Sequence, residues 1–226
     1  MNSVLKINNK KSNLDQIDCL RKDFPTINQE INNHPLVYLD SAASSQMPNQ
    51  VIEEISRYQS QDHANVHRGI HTLSHRATDV YETARQKICE FINAKNTSEI
   101  IFTSGTTDSI NLVANSFCKP KLDPNKKILI SHLEHHSNIV PWQIICEQTG
   151  ATLIVAPIDN NGQIETEKLI KMIDSSVVLV AISHVSNALG SVTSLNEIID
   201  AAHSYAVPVL VDGAQAISHL KVDVQA

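Results

Sequence analysis

The stretch that decides the fold is V-P-V-L-V-D-G-A-Q, residues 207–215. Apolar and β-favouring residues run into a carboxylate, Asp212, then a glycine and, at the end, an amide, Gln215. Such a run reads as a buried strand that delivers Asp212 and Gln215 to the rim of a parallel sheet. Only residues 216–226 follow it.

Working back from this strand, four more compact apolar runs occur at 100–103, 128–131, 153–157 and 177–183. None alternates polar with apolar, as expected of strands covered on both faces. Helical patterns fill the intervals at 108–117, 140–148, 166–173 and 195–204. Strand–helix alternation predicts α/β architecture: a mostly parallel sheet with helices on both faces. Upstream, a short helix over 15–23 ends at Phe24-Pro25, because proline disfavours helical geometry in the residue before it. A brief strand is predicted at 36–39, a helix over 49–60 after Pro48, and a longer one over 74–92. In the last, Val80, Ala84, Ile88 and Phe91 recur at helical spacing.

Composition bounds the function. Hydrophobic residues make up 42% and charged residues 19%, which fits a globular chain and not a disordered one. The net charge of −6, with no basic stripe, argues against nucleic acid. The N-terminal M-N-S-V-L-K-I-N-N-K-K-S-N has no apolar core of the secretory kind and reads as a disordered polar tail over 1–14. The longest apolar run, 177–182, is too short to cross a bilayer. A cytoplasmic protein is therefore expected, with no membrane partner. Cys19, Cys89, Cys118 and Cys146 stand far apart without a C-x-x-C pair, so buried small hydrophobes are expected of Cys89 and Cys146, and no disulfide framework.

The notable polar residues fall at strand ends, where open α/β sheets bind ligands. S-G-T-T-D follows 100–103, H-L-E-H-H-S-N follows 128–131, H-V-S-N-A-L-G follows 177–183, and D-G-A-Q closes 207–211. Gly105 lets the chain turn tightly into a helix whose N–H groups, with the Thr106 and Thr107 hydroxyls, suit a phosphate; simple helix capping is the other reading. It is not a P-loop, since no Gly-Lys-Ser/Thr follows. Asp212 at the end of V-P-V-L-V should be buried, which is costly without a cation such as a protonated heterocyclic nitrogen; capping of the next helix is the alternative. His132, His135 and His136 lack matching carboxylates or thiolates at the other strand ends, so no metal is expected. His67, His71 and His75 share one helical face, but Gly69 interrupts it.

Six motifs in order carry a family resemblance: Y-L-D-S-A-A-S (38–44), V-H-R-G-I-H-T-L-S (66–74), G-T-T-D-S-I-N-L-V-A-N-S (105–116), L-E-H-H-S-N-I-V-P-W-Q (133–143), S-H-V-S-N-A-L-G (183–190) and L-V-D-G-A-Q-A (210–216). From about residue 24 onward the sequence resembles the group II cysteine desulfurases of the sulfur-mobilisation (Suf) type, class V aminotransferases of the fold-type I pyridoxal 5′-phosphate (PLP) enzymes. The resemblance implies PLP as cofactor. His135 would stack on the pyridine ring and relay a proton, the catalytic role. Asp212 would hold the ring nitrogen protonated, Gln215 would bond the phenolic oxygen, and Thr106 and Thr107 would hold the phosphate. Asn187 would lie near the phenolic oxygen and the substrate carboxylate. Ala42, Ala43, His67 and Arg68 would line the substrate side or a dimer contact.

The implied reaction takes sulfur from L-cysteine, with L-selenocysteine as a further substrate, giving L-alanine and an enzyme persulfide. That sulfur passes to a Suf-type acceptor protein for Fe–S cluster assembly, and the family is homodimeric. Residues 15–72 would belong to the small domain and its active-site and dimer loops, and 73–226 to an incomplete PLP-binding large domain. The family's Schiff-base lysine lies in a Ser-Gly-His-Lys segment after V-D-G-A-Q, and its persulfide cysteine in a C-terminal domain; the sequence contains neither. Lys221, in S-H-L-K, lacks the glycine and stands too near Asp212, and the four cysteines match none of the family's thiol positions. The family's first strand, here 100–103, pairs with a seventh that is also absent. The expectation is an inactive fragment that folds poorly alone and forms no covalent link with PLP. Two alternatives are a truncated selenocysteine lyase or kynureninase-like enzyme, and a non-catalytic remnant that binds a partner protein.

Overall fold

Within 207–215 the chain becomes a strand over Val209–Asp212, at the edge of a parallel sheet and only partly buried, since an edge strand has a neighbour on one side alone. The structure, a computed structural model, describes residues 13–226, so positions 1–12 of the expected N-terminal tail lie outside the described residues. The chain divides into two units, one ending at Gln86 and one running from Lys87 to Ala226, with the division inside a helix.

The first unit is helical. Helix α1 spans Asn13–Arg21, α2 spans Asn49–Gln61 and α3 spans Thr72–Phe91. Pro48 precedes α2 in an extended conformation, which its fixed φ favours. Between α1 and α2 lies a two-residue hairpin, β1 (Glu30–Ile31) against β2 (His34–Pro35). Its turn residues Asn32 and Asn33 both have positive φ, 54° and 63°, as a tight hairpin turn requires and as asparagine tolerates. The expected strand at 36–39 does not form. The local Asn-Asn turn signal outweighed the apolar run, and Val37 and Leu39 are exposed.

The second unit holds α4 (Thr106–Val113), β3 (Lys127–Ser131), α5 (Val140–Thr149), β4 (Thr152–Ala156), α6 (Thr166–Lys171), β5 (Val177–Ser183), α7 (Leu195–Ser204) and β6 (Val209–Asp212). Its sheet has the order β4-β3-β5-β6, with every pairing parallel. Strands β3 and β5 are inner and almost wholly buried, as their unbroken apolar sequences require. Alternate residues face opposite cores. Leu129, Val180 and Ile182 pack with Leu169, Ile198 and Ala202. Ile128, Ile130, Leu179 and Ala181 pack with Ile110, Trp142 and Ile145. Each such side chain contributes about 1.5–3 kcal/mol by leaving water. Helix α5 stops at Gly150, whose φ of 76° closes the last turn. Cys89, Cys118 and Cys146 are buried free thiols, and burial pushes Cys118 and Cys146 up to about 11.

One expected strand of the large unit is corrected. Residues 100–103 add to neither edge of the sheet. Ile100 is locally extended, at φ −95° and ψ 114°, so the backbone preference is there. A strand is defined by its ladder, and this sheet ends at β6 on one side and β4 on the other.

Candidate functional site

Three strand ends and one helix start supply the polar residues of the second unit. Helix α4 begins at Thr106 behind Gly105, which has φ 133° and ψ 178°, a conformation essentially reserved for glycine. The turn before it is knitted by the Thr103 hydroxyl, 2.7 Å from Ser109 Oγ, and by Asp108, whose Oδ2 accepts the Ser104 N–H at 3.1 Å. Thr106 is half-buried and Thr107 exposed.

At the end of β6, Asp212 is 7% exposed, and its Oδ1 accepts the Ala214 N–H at 3.0 Å. That bond caps the turn that carries Gln215. Among the described residues no ion pair involves Asp212. Thr106 and Asp212 line one cavity of about 190 Å³, together with Ser109 and the β6 residues Leu210 and Val211. The structure therefore brings Thr106, an expected phosphate ligand, to the same cavity as the buried carboxylate. Lys221 lines a different cleft, of about 870 Å³, with His184 and His203.

His135 follows β3 and is exposed. It caps the short turn His136–Asn138: its Nδ1 accepts the Ser137 N–H at 3.2 Å and lies 2.8 Å from Ser137 Oγ. A backbone N–H can only donate, so Nδ1 presents a lone pair and Nε2 carries the hydrogen in the neutral ring. Asn187 is exposed, in the loop closed by the Val185–Val192 bridge, and Gln215 is half-buried. The expected ligands His135, Thr107, Asn187 and Gln215 do not line the Thr106–Asp212 cavity.

The remaining expected residues belong to the first unit. Ala42 and Ala43 occupy the turn in which Asp40 O accepts the N–H groups of Ala43 and Ser44. His67 has a positive φ of 68°, a strained position for a non-glycine residue. It is held by its N–H to Thr78 Oγ1 at 3.0 Å and by Nε2 to Glu82 Oε1 at 2.8 Å. Arg68 beside it is exposed.

The sequence reading passed over Glu134. This carboxylate is 8% exposed and accepts four hydrogen bonds: from Ser131 Oγ, from Asn138 Nδ2 at 2.6 Å, and from Ser183 Oγ at 2.6 Å and N at 3.1 Å. Burial pushes its pKa above the ordinary value of 4.5, and the hydrogen bonds oppose the shift. The signal was present: Glu134, Asn138 and Trp142 stand four residues apart, the spacing of one helical face.

The match to known proteins follows this geometry. Residues 37–226 match the model of aminotransferase class-V proteins. The chain belongs to that family. A probable cysteine desulfurase of Halalkalibacterium halodurans is 50% identical over 206 residues, 91% of this chain and 51% of that protein. A cysteine desulfurase of Shigella sonnei is 49% identical over 93% of this chain and 52% of its own length. Among solved structures, the cysteine desulfurase CsdA of Escherichia coli superposes with a TM-score of 0.80 at 36% identity, over 95% of this chain and 52% of that one. The apo cysteine desulfurase of Thermococcus onnurineus gives 0.84 at 35%, over 92% and 50%. The chain spans about half the length of the curated relatives it matches. The fold is that of these enzymes, a parallel sheet within a mixed α/β unit.

Proposed function

We propose that this chain carries the cofactor-cradling part of a PLP-dependent cysteine desulfurase of the Suf type. The observation that carries the reading is Asp212: a buried carboxylate, without an ion-pair partner among the described residues, lining one cavity with Thr106 at the start of α4. A protonated pyridine nitrogen satisfies such a carboxylate, and the N–H groups at the start of α4 suit the phosphate. The donor set therefore fits the cofactor. When bound, PLP supplies an electron sink for the substrate's carbons.

The chain's own residues do the rest. Asp212 keeps the ring nitrogen protonated. Thr106 and Thr107 hold the phosphate, and Gln215 and Asn187 address the phenolic side. His135 offers the ring its imidazole face and moves a proton at Nε2. Ala42, Ala43, His67 and Arg68 serve the substrate side or a dimer contact. The strain at His67, fixed by Thr78 and Glu82, supports a functional role for that loop. The substrate in this reading is L-cysteine, with the sulfur leaving through a protein persulfide to an acceptor protein. The working form is a cytoplasmic homodimer, in which residues 15–72 serve a small domain and 73–226 the PLP-binding domain.

Dialysing the purified chain against PLP and reading its visible absorbance tests the cofactor part. Retention of the chromophore is expected, with Asp212→Ala weakening it about tenfold or more, since a charge-assisted bond is lost. A chain that retains no PLP above the dialysate would sink the reading. Alanine released from L-cysteine measures the substrate part.

A further inference from the structure

Outside the residues assigned to cofactor and substrate, Glu134 anchors a densely bonded buried polar cluster in the second unit. Asn138 and Trp142 are both 0% exposed. The indole Nε1–H of Trp142 donates to Asn138 Oδ1 at 2.9 Å. An indole N–H can only donate, so Oδ1 must face it and Nδ2 must face Glu134. The amide thus hands its own hydrogen to Glu134 Oε2 at 2.6 Å. The carboxylate also binds Ser131 at the end of β3 and Ser183 at the end of β5. The next residue, His184, donates its N–H to Asp212 O at 2.9 Å, which ties in the end of β6.

His135 lies between two anchored residues. Glu134 fixes the chain before it, and Asn138 fixes the turn after it, with Asn138 N also bonding His135 O at 2.7 Å. Within that turn the Ser137 N–H reaches His135 Nδ1 at 3.2 Å. We infer that Glu134, oriented through Asn138 and Trp142, is the positioning residue that sets the ring direction and the Nε2–H tautomer of His135. The importance of that ring rests on the proposed PLP reading; the geometry of the clamp does not. A buried carboxylate accepting from the ends of β3 and β5 and from the turn after β3 ties the two loops together. It also presents Nε2, and not Nδ1, as the atom free to handle a proton.

The test reads ring nitrogens directly. In ¹⁵N-histidine-labelled full chain, with His135 assigned by His135→Gln, a single Nε2–H tautomer is expected at His135. Glu134→Gln replaces one acceptor oxygen by an NH2 group, which a serine hydroxyl can turn to accept from but to which the Ser183 N–H or the Asn138 amide can no longer donate. It should mix the two tautomers of His135, leave the signals of His203 and His219 in place, and raise the PLP Kd about tenfold. A folded Glu134→Gln chain with an unchanged His135 tautomer overturns the inference. Should that variant fail to fold, Trp142→Phe keeps the carboxylate and removes only the donor that orients Asn138. A partial shift in the same direction is then expected, and no shift overturns the inference equally. If the native chain retains no PLP, the cofactor reading falls while the ring signals still decide the role of Glu134.

Discussion

Asp174 and Glu134 titrate in opposite directions, and their surroundings explain both. At Asp174 the Ser176 hydroxyl and N–H, with Lys127 Nζ at 3.1 Å, hold the carboxyl down at about 2. Its folded value lies below the ordinary 3.8, so its contribution to stability is present above that value. The contribution is lost as pH falls from there through about 2. Glu134 is raised by burial, so the folded chain holds its proton more tightly than the unfolded one, and stability falls as pH rises through the folded value. Asp174 is half-buried, and replacing it touches the turn before β5 and the contact with Lys127 of β3. Asp174→Asn is therefore expected to flatten the acid limb of a stability-against-pH curve between pH 4 and about 2, measured by urea unfolding, while leaving its neutral side nearly level. A steeper acid limb in the variant would contradict the assignment. The two carboxylates also mark what the sequence disclosed. Asp212 was legible because it ends an apolar strand. Glu134 was legible only in part: its four-residue spacing with Asn138 and Trp142 is in the sequence, but its burial depends on Ser183, 49 residues away, and no local pattern records that contact.

Among the elements, legibility follows pairing. The runs at 128–131, 153–157, 177–183 and 207–212 became strands because each found a neighbour, and each began or ended within two residues of its expected bound. The run at 100–103 has the same composition but no place in the ladder. Apolar content says that a segment can be a strand; only the sheet says whether it is one. Helix α4 begins two residues before its apolar pattern does, because Thr106 and Thr107 form its first turn. Their inclusion in the first helical turn makes Gly105 the hinge of the candidate phosphate site. Open space surrounds the position a Cβ would take at Gly105, so the cost of a side chain there is backbone strain and not collision. Gly105→Ala is expected to cost about 1–3 kcal/mol in urea unfolding. Relief of that strain would turn the first N–H groups of α4 away from their present direction, and PLP affinity should fall in parallel. Stability lost with affinity intact would show that the helix start is not the phosphate site.

For the whole molecule, the open question is what the large sheet does with its outer strand. Strand β6 has one partner, β5, and its residues line two cavities of the second unit, the smaller beside Thr106 and the larger beside His184. Val211 is 37% exposed, and Ile101, Phe102, Leu112, Ile217 and Leu220 of the same unit are also exposed large apolar side chains. A parallel sheet ordinarily has both faces covered, and an apolar edge strand is a template for another chain. The chain should therefore self-associate through β6 as its concentration rises. Val211→Lys places a charge on that strand at a position already in contact with water. Sedimentation velocity over a concentration series is expected to show the native chain shifting to larger species and the variant remaining smaller. The variant should keep the same helix and strand content, because Val211 lies outside both main core clusters. If both proteins sediment alike at every concentration, β6 is not the associating edge, and the apolar residues around it are covered within the chain's own fold.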